Sequence, residues 1–152
     1  MDVKQYEQVI SDAIQGEVRA KEFYGKVAER IKDPYLADLF MEFAREEGEH
    51  EKILTRILER GQIHARYFGF ETDFHVSDDL PMPEVTPKMD LKAAIGLAMK
   101  NEEIAMKKYL DLAEDCLDGT LKKVFLDLAS MEREHKHAME TRFVDVAFPE
   151  VW

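Results

Sequence analysis

Four glutamates and two histidines recur at matching places in the two halves of this 152-residue chain. They form two Glu-x-x-His motifs, each preceded by a single glutamate 30 residues earlier. The six residues are Glu17, Glu47, His50, Glu102, Glu132 and His135. Carboxylate oxygens and imidazole nitrogens together suit iron or manganese and also accept zinc. The pattern therefore predicts a site for two divalent cations.

The spacing within each motif lets both of its side chains point to one place. Residues at positions i and i+3 lie about 60° apart around a helix axis, so Glu47 and His50 share one helix face. Glu132 and His135 repeat this arrangement. Each of two ions would take one histidine and one terminal glutamate, and the remaining carboxylates would bridge. A single Glu-x-x-His is common on helix surfaces, whereas two copies with the same upstream glutamate indicate a site.

The helical period places this whole layer in the predicted core. An unpaired carboxylate in a low-dielectric interior costs several kcal/mol even after relaxation, and four of them in one layer would repel one another. No Lys or Arg occupies a core-facing position in the layer. Two divalent cations would supply the missing positive charge. The competing interpretation, a repeat of solvated helix faces, leaves polar groups interrupting apolar stripes on four helices, and we favour the metal site.

Apolar residues recur at alternating steps of four and three along four segments, which is typical of helices packed side by side. The first segment shows the pattern at Tyr6, Ile10, Ala13, Glu17, Ala20, Tyr24, Val27 and Ile31. Asp33-Pro34 and Asp118 are typical helix starts. These signals predict helices near 3–31, 34–60, 91–117 and 120–146. Four such helices predict an all-α four-helix bundle.

The two halves of the chain are copies of one helical hairpin. With a fixed offset of 85 residues, positions 13–52 match positions 98–137 at 13 of 40 places. The identities include every ligand candidate. We therefore expect a pseudo-twofold axis through the bundle.

A connector over residues 61–89 joins the two hairpins. It contains four aromatic residues and three of the five prolines. A crossover of this length can return along the whole bundle, so we expect helices 2 and 3 to run parallel and the aromatic residues to lie against the bundle. We expect residues 1–152 to form a single domain. The apolar tail at 148–152 would dock on the bundle or on a neighbouring chain.

Other carboxylates near the motifs are weaker candidates. Glu49 and Glu134 match in the repeat, but each lies about 100° around the helix from the adjacent histidine, so we predict that they are solvated. Glu46 does not fit a symmetric ligand set, because its repeat partner is Met131. Glu103 is off the core-facing stripe and is also predicted to be solvated.

Two tyrosines lie on the same stripes as the upstream glutamates. Tyr24 and Tyr109 are two turns beyond Glu17 and Glu102, respectively. They are either ordinary core residues or hydrogen-bond donors to a bridging carboxylate. Cys116 is predicted to be a small buried apolar residue rather than a nucleophile.

Composition and charge exclude several kinds of partner. The chain has 21 Lys and Arg against 32 Asp and Glu, a net charge of −11, which argues against nucleic acid and anionic membranes. One cysteine cannot form a disulfide framework or a four-cysteine metal site within the chain. No signal peptide is apparent, and no apolar run approaches the roughly 20 residues of a membrane span. We therefore expect a cytoplasmic protein.

The ligand pattern resembles the ferritin-like di-iron carboxylate proteins, and most closely the rubrerythrin family. The resemblance rests on the two Glu-x-x-His motifs, the two upstream glutamates and the long crossover. It implies two iron ions, with manganese or zinc as alternatives. Glu47 and Glu132 would bridge the ions, Glu17 and Glu102 would be terminal, and each ion would take one histidine.

The chain also departs from that family in two respects. Rubrerythrins typically carry another ligand glutamate one turn after the third-helix glutamate, where this chain has Ala105. They also commonly include a four-cysteine rubredoxin domain that delivers electrons, and a chain with one cysteine cannot contain it. A separate reductant, such as a redox protein, would have to supply electrons.

The resemblance favours an enzyme, an oxidoreductase that reduces hydrogen peroxide or dioxygen with an external electron donor. One alternative is a non-enzymatic protein that oxidises or holds iron for storage or delivery. Another is a dimanganese catalase, which needs no external donor. A metal-free interaction bundle is the remaining interpretation. We expect the chain to form a homodimer.

Overall fold

The structure, a computed structural model, describes residues 3–60 and 91–147. In those ranges the chain forms four α-helices and no strands. The helices are α1 (Val3–Arg30), α2 (Pro34–Glu59), α3 (Leu91–Asp115) and α4 (Gly119–Ala147). Each end lies within two residues of its predicted position, and the all-α four-helix bundle is confirmed. The aromatic connector and the C-terminal tail discussed above lie outside the described residues.

Aspartates at equivalent positions of the two hairpins start α2 and α4. The Asp33 carboxylate accepts a hydrogen bond from the backbone N–H of Tyr35 at 2.9 Å. The Asp118 carboxylate accepts one from the backbone N–H of Leu121 at 2.8 Å. Each bond satisfies an amide that the first helical turn leaves without a partner. The repeat therefore extends to the turns that define each hairpin.

The two hairpins, α1 with α2 and α3 with α4, pack against each other in antiparallel fashion. Near the start of α1, the Tyr6 hydroxyl donates a hydrogen bond to Asp115 at the end of α3. Near the other end of α1, Tyr24 donates to Glu102 in the first half of α3. Because α1 runs opposite to both α2 and α3, the latter two are parallel. This direction is the one expected for a long crossover between them.

Two apolar clusters fill the bundle on either side of a polar layer. One contains Leu54, Leu112 and Phe125, and the other contains Val27, Phe40 and Ile95 among its members. None of the described helices has an apolar stretch that could cross a membrane. The polar layer between the clusters holds the residues with possible chemistry.

Candidate metal centre

All six predicted ligand residues lie in the polar layer, and none is more than 4% exposed. Helices α1 and α3 contribute one glutamate each, and α2 and α4 contribute one Glu-x-x-His pair each. The residues are Glu17, Glu47, His50, Glu102, Glu132 and His135. The helical period therefore predicted the burial of all six residues.

The six side chains form two overlapping groups that can each surround a cation. In each group the possible ligand atoms lie within 4.8 Å of one another. The first group is Glu17, Glu47, His50 and Glu132, and the second is Glu47, Glu102, Glu132 and His135. Glu47 and Glu132 belong to both groups, and the offset of the sequence repeat converts one group into the other.

Each histidine turns its Nδ1 atom toward the carboxylates, and its nearest carboxylate belongs to the other hairpin. His50 Nδ1 is 2.7 Å from Glu132 Oε1 and 3.6 Å from Glu47 Oε2. His135 Nδ1 is 2.7 Å from Glu47 Oε1. The two imidazole rings are stacked, with centroids 6.0 Å apart. The layer therefore forms only where the two hairpins pack together.

Several atoms in the layer lack hydrogen-bond partners, as expected of a cation site. Within the described residues, four buried side-chain atoms are unpartnered: Glu17 Oε2, His50 Nδ1, Glu102 Oε2 and Glu132 Oε1. His50 Nδ1 and Glu132 Oε1 are close, but their geometry does not satisfy a hydrogen bond. Burying such atoms without partners is costly. A divalent cation between them would satisfy several at once, so the donor set fits a metal.

Electrostatics in the layer shift the pKa values of its members in opposite directions. Burial alone would lower the pKa of His50, but contacts with Glu132 and Glu47 raise it to about 10. Burial also opposes the charged form of His135, and Glu47 still raises its pKa to about 9. Burial and the charge of Glu47 raise the pKa of Glu132 to about 7. For Glu47 the burial cost is outweighed by the hydrogen bond with His135 and the proximity of His50, which hold its pKa below the usual value. Protons on the imidazoles thus offset the carboxylate charge.

Tyr24 and Tyr109 are buried hydrogen-bond donors to the layer, and each donates across the hairpin boundary. Tyr109 donates to Glu17 Oε1 at 2.5 Å, and Tyr24 donates to Glu102 Oε1. Sequence analysis expected either core residues or donors to a bridging carboxylate. Their acceptors, Glu102 and Glu17, each belong to only one of the two groups, whereas the carboxylates predicted to bridge, Glu47 and Glu132, belong to both. Burial, followed by the charge of Glu132, raises the pKa of Tyr24 well above its ordinary value.

Three of the carboxylates excluded from the predicted ligand set, Glu49, Glu103 and Glu134, lie at the surface. The Glu49 side chain is 47% exposed and lies 3.4 Å from Lys52 Nζ. Glu134 is exposed as well, and the Glu103 side chain is 42% exposed. Cys116 is buried, and burial raises the pKa of its thiol, in agreement with a packing role.

Two residues that the repeat pattern did not predict contact the outer sides of the histidines. Glu46 contacts Nε2 of His135, and the Met131 sulfur lies 3.3 Å from Nε2 of His50. Each contact crosses between hairpins. The sequence does contain a signal that these two residues face the layer. Glu46 is four residues before His50, and Met131 is four residues before His135, so each lies on the same helix face as the histidine of its own motif. The requirement for identical residues in both repeats hid this signal.

A cavity of about 60 Å³ lies between α1 and α3 and reaches the polar layer. Small residues line it, including Ala13, Gly16, Ala20 and Ala105. Glu47 and Glu132 also contribute to its wall. One water needs about 10–15 Å³ of such space, so the cavity holds a few waters or a molecule the size of hydrogen peroxide. The shared carboxylates are therefore open to small molecules from this side.

Comparison with known proteins supports this description. Residues 8–141 match the sequence profile of the Rubrerythrin family. A protein from Pyrococcus furiosus described as hypothetical has a similar structure, with 28% identity, a TM-score of 0.71, and coverage of 97% of this chain and 96% of that chain. A Thermotoga maritima protein described as a ferritin-like diiron-carboxylate protein shares the fold, with 16% identity, a TM-score of 0.72, and coverage of 94% and 95%, respectively. Comparison with curated proteins found no match.

Proposed function

The chain belongs to the rubrerythrin family, and from this premise we propose that it is a di-iron oxidoreductase that reduces hydrogen peroxide or dioxygen. The observation that carries the proposal is the pair of four-residue groups sharing Glu47 and Glu132. Shared carboxylates would hold two ions close together, as a two-electron reaction at one site requires. Peroxide is the preferred substrate in this proposal because it needs two electrons and two protons to yield two waters.

Each proposed ligand has one role. Glu47 and Glu132 would bridge the ions, and Glu17 and Glu102 would each bind one ion. His50 and His135 would each bind one ion through Nδ1, the nitrogen that faces the carboxylates. Two bound ferrous ions would supply the two electrons that cleave the O–O bond.

The surrounding residues support this chemistry by binding and orientation. Tyr24 and Tyr109 fix one oxygen of Glu102 and one of Glu17, leaving the other oxygen of each without a partner. The cavity between α1 and α3 admits a small oxidant to the shared carboxylates. The two apolar clusters restrict water elsewhere around the layer.

Electrons would come from a separate redox protein. The chain has one cysteine, so a four-thiolate electron-transfer centre cannot lie within it. We also propose that the protein is cytoplasmic and forms a homodimer. Metal content is the first test: anaerobic titration of metal-free protein with Fe²⁺ should saturate at about two ions per chain.

A matched set of histidine variants tests the ligand assignment. The double variant His50→Ala/His135→Ala should lose at least one of the two iron equivalents. His137→Ala changes an exposed histidine on α4 and should retain both. Full binding by the double variant would refute the proposed site.

Iron handling without turnover is the second candidate, and Ala105 favours it. This residue lines the cavity. It occupies the position at which rubrerythrins typically carry an additional ligand glutamate. Peroxide titration of the iron-loaded protein with a reduced viologen dye as electron donor separates the candidates. Sustained dye oxidation supports the enzyme, whereas one oxidation followed by iron release supports handling. Oxygen evolution from the manganese-loaded protein without any donor would instead support a catalase.

A further inference from the structure

The two halves of the candidate metal centre differ at a pair of repeat-related residues that contact the outer nitrogens of the histidines. The sequence offset of 85 pairs Glu46 with Met131, immediately before the two motif glutamates. Both reach the outer nitrogen of the other hairpin's histidine. Glu46 meets His135 there, and Met131 meets His50. The ligand groups are therefore symmetric, but the contacts behind them are not.

The chemistry of these two contacts differs strongly. When Nδ1 of a histidine binds a metal, Nε2 carries the proton and becomes a hydrogen-bond donor. A carboxylate that accepts this bond fixes the ring and makes the imidazole a stronger ligand. A thioether sulfur is only a weak acceptor. Glu46 can therefore strengthen His135 in a way that Met131 cannot strengthen His50.

The position of Glu46 suits this supporting role better than direct ligation. Its side chain is 27% exposed, and it is absent from both groups of convergent ligand atoms. Arg45 lies 4.0 Å from its other oxygen. Glu46 thus connects a surface cation to the outer edge of the buried histidine.

We propose that Glu46 is a positioning residue that makes the two metal positions unequal. The position formed with Glu102 and His135 binds a divalent ion more tightly than the position formed with Glu17 and His50. Loss of a carboxylate behind a metal-bound histidine typically weakens metal affinity by about 10–100-fold, and we expect a difference of this size. The inference rests on the proposed function only in requiring that the layer binds two ions.

Zinc titration followed by NMR of the imidazole nitrogens tests the order of filling. Zinc is diamagnetic and accepts the same ligands, and the single variants His50→Ala and His135→Ala assign the signals. At one equivalent of zinc, the wild-type His135 signals should shift while the His50 signals remain those of the metal-free protein. Equal filling, or filling of His50 first, would overturn the inference. Absence of zinc binding would instead refute the metal centre itself.

Two variants that make the halves alike test the cause. Glu46→Met places a thioether behind both histidines, and Met131→Glu places a carboxylate behind both. Either change should abolish the preference for His135, and Met131→Glu should do so by tightening the weaker position. Glu46→Gln keeps an acceptor without the charge and should retain part of the preference. Glu49→Met, at an exposed position of α2, should leave it intact. Unchanged order in Glu46→Met would show that Glu46 is not the cause.

Discussion

Loading the layer with metal should expel between two and three protons per chain at pH 7. Metal ligation requires neutral imidazoles and ionised carboxylates. With pKa values of about 10 and 9, His50 and His135 each carry a full proton at pH 7. Glu132, with a pKa of about 7, carries about half of one. Ordinary pKa values near 6.5 for histidine and 4.5 for glutamate would give a release of only about half a proton.

The released protons can be counted directly. Metal-free protein is titrated with two equivalents of Zn²⁺ in a pH-stat, or by calorimetry in two buffers of different ionisation enthalpy. The apparent constant for binding both ions should rise by about two to three orders of magnitude per pH unit near neutrality. The slope should fall toward zero as the pH rises beyond about 10, because both histidines then lose their protons. Release of half a proton or less at pH 7 would refute the electrostatic reasoning.

The same shifts determine how the stability of the metal-free protein depends on pH. Both histidines bind protons more tightly in the folded chain than in the unfolded chain, where their pKa is 6.5. Their contribution to the free energy of unfolding is therefore complete below pH 6.5. It is lost as the pH rises through about 9 and 10. Glu132 also lowers the free energy of unfolding as the pH rises, because its buried carboxyl is costly to ionise in the folded chain. This loss is complete above about pH 7. Urea unfolding in a chelator should therefore give a free energy of unfolding that falls between pH 7 and pH 10.

Three substitutions test other parts of the structure. Tyr24→Phe removes the hydroxyl that orients Glu102 and should weaken metal binding by about 10–100-fold. The affinity is measured by competition with a chelating dye, and an unchanged value would contradict an orienting role. Ala105→Leu should fill the cavity between α1 and α3 and slow peroxide oxidation of the iron-loaded protein several-fold at unchanged iron content. An unchanged rate would exclude this cavity as the entry route. Asp33→Ala removes the acceptor for the first turn of α2 and should lower the free energy of unfolding by about 0.5–2 kcal/mol, measured with urea.

Much of the fold was predictable because its signals are local. Helix ends follow from capping residues such as Asp33 and Asp118, whose side chains bond amides within a few residues. Burial follows from the helical period, since a residue's angle around its own helix does not depend on distant contacts. Three predicted core positions that are half-buried, Ala13, Ala20 and Ala105, line the cavity. No local signal reports such a gap between helices.

The membership of the candidate site was also predictable, but its connections were not. Spacing within α2 places Glu47 and His50 on one face, and the repeat does the same for α4. Spacing cannot reveal that His50 lies nearest to Glu132 in the other hairpin, or that each tyrosine donates across the same boundary. Those contacts depend on the distance and rotation between hairpins, which tertiary packing sets.

The sequence by itself determined four helices, a repeated hairpin and a buried layer of four carboxylates and two imidazoles, because each follows from periodicity along a single chain segment. Only the tertiary structure decided how the two copies differ. Glu46 and Met131 occupy equivalent positions in sequence, and each reaches across the bundle to the outer nitrogen of a histidine. The four-residue step within each helix places such a residue on the face of the motif histidine, but the atom that it contacts depends on what the opposite hairpin places beside it.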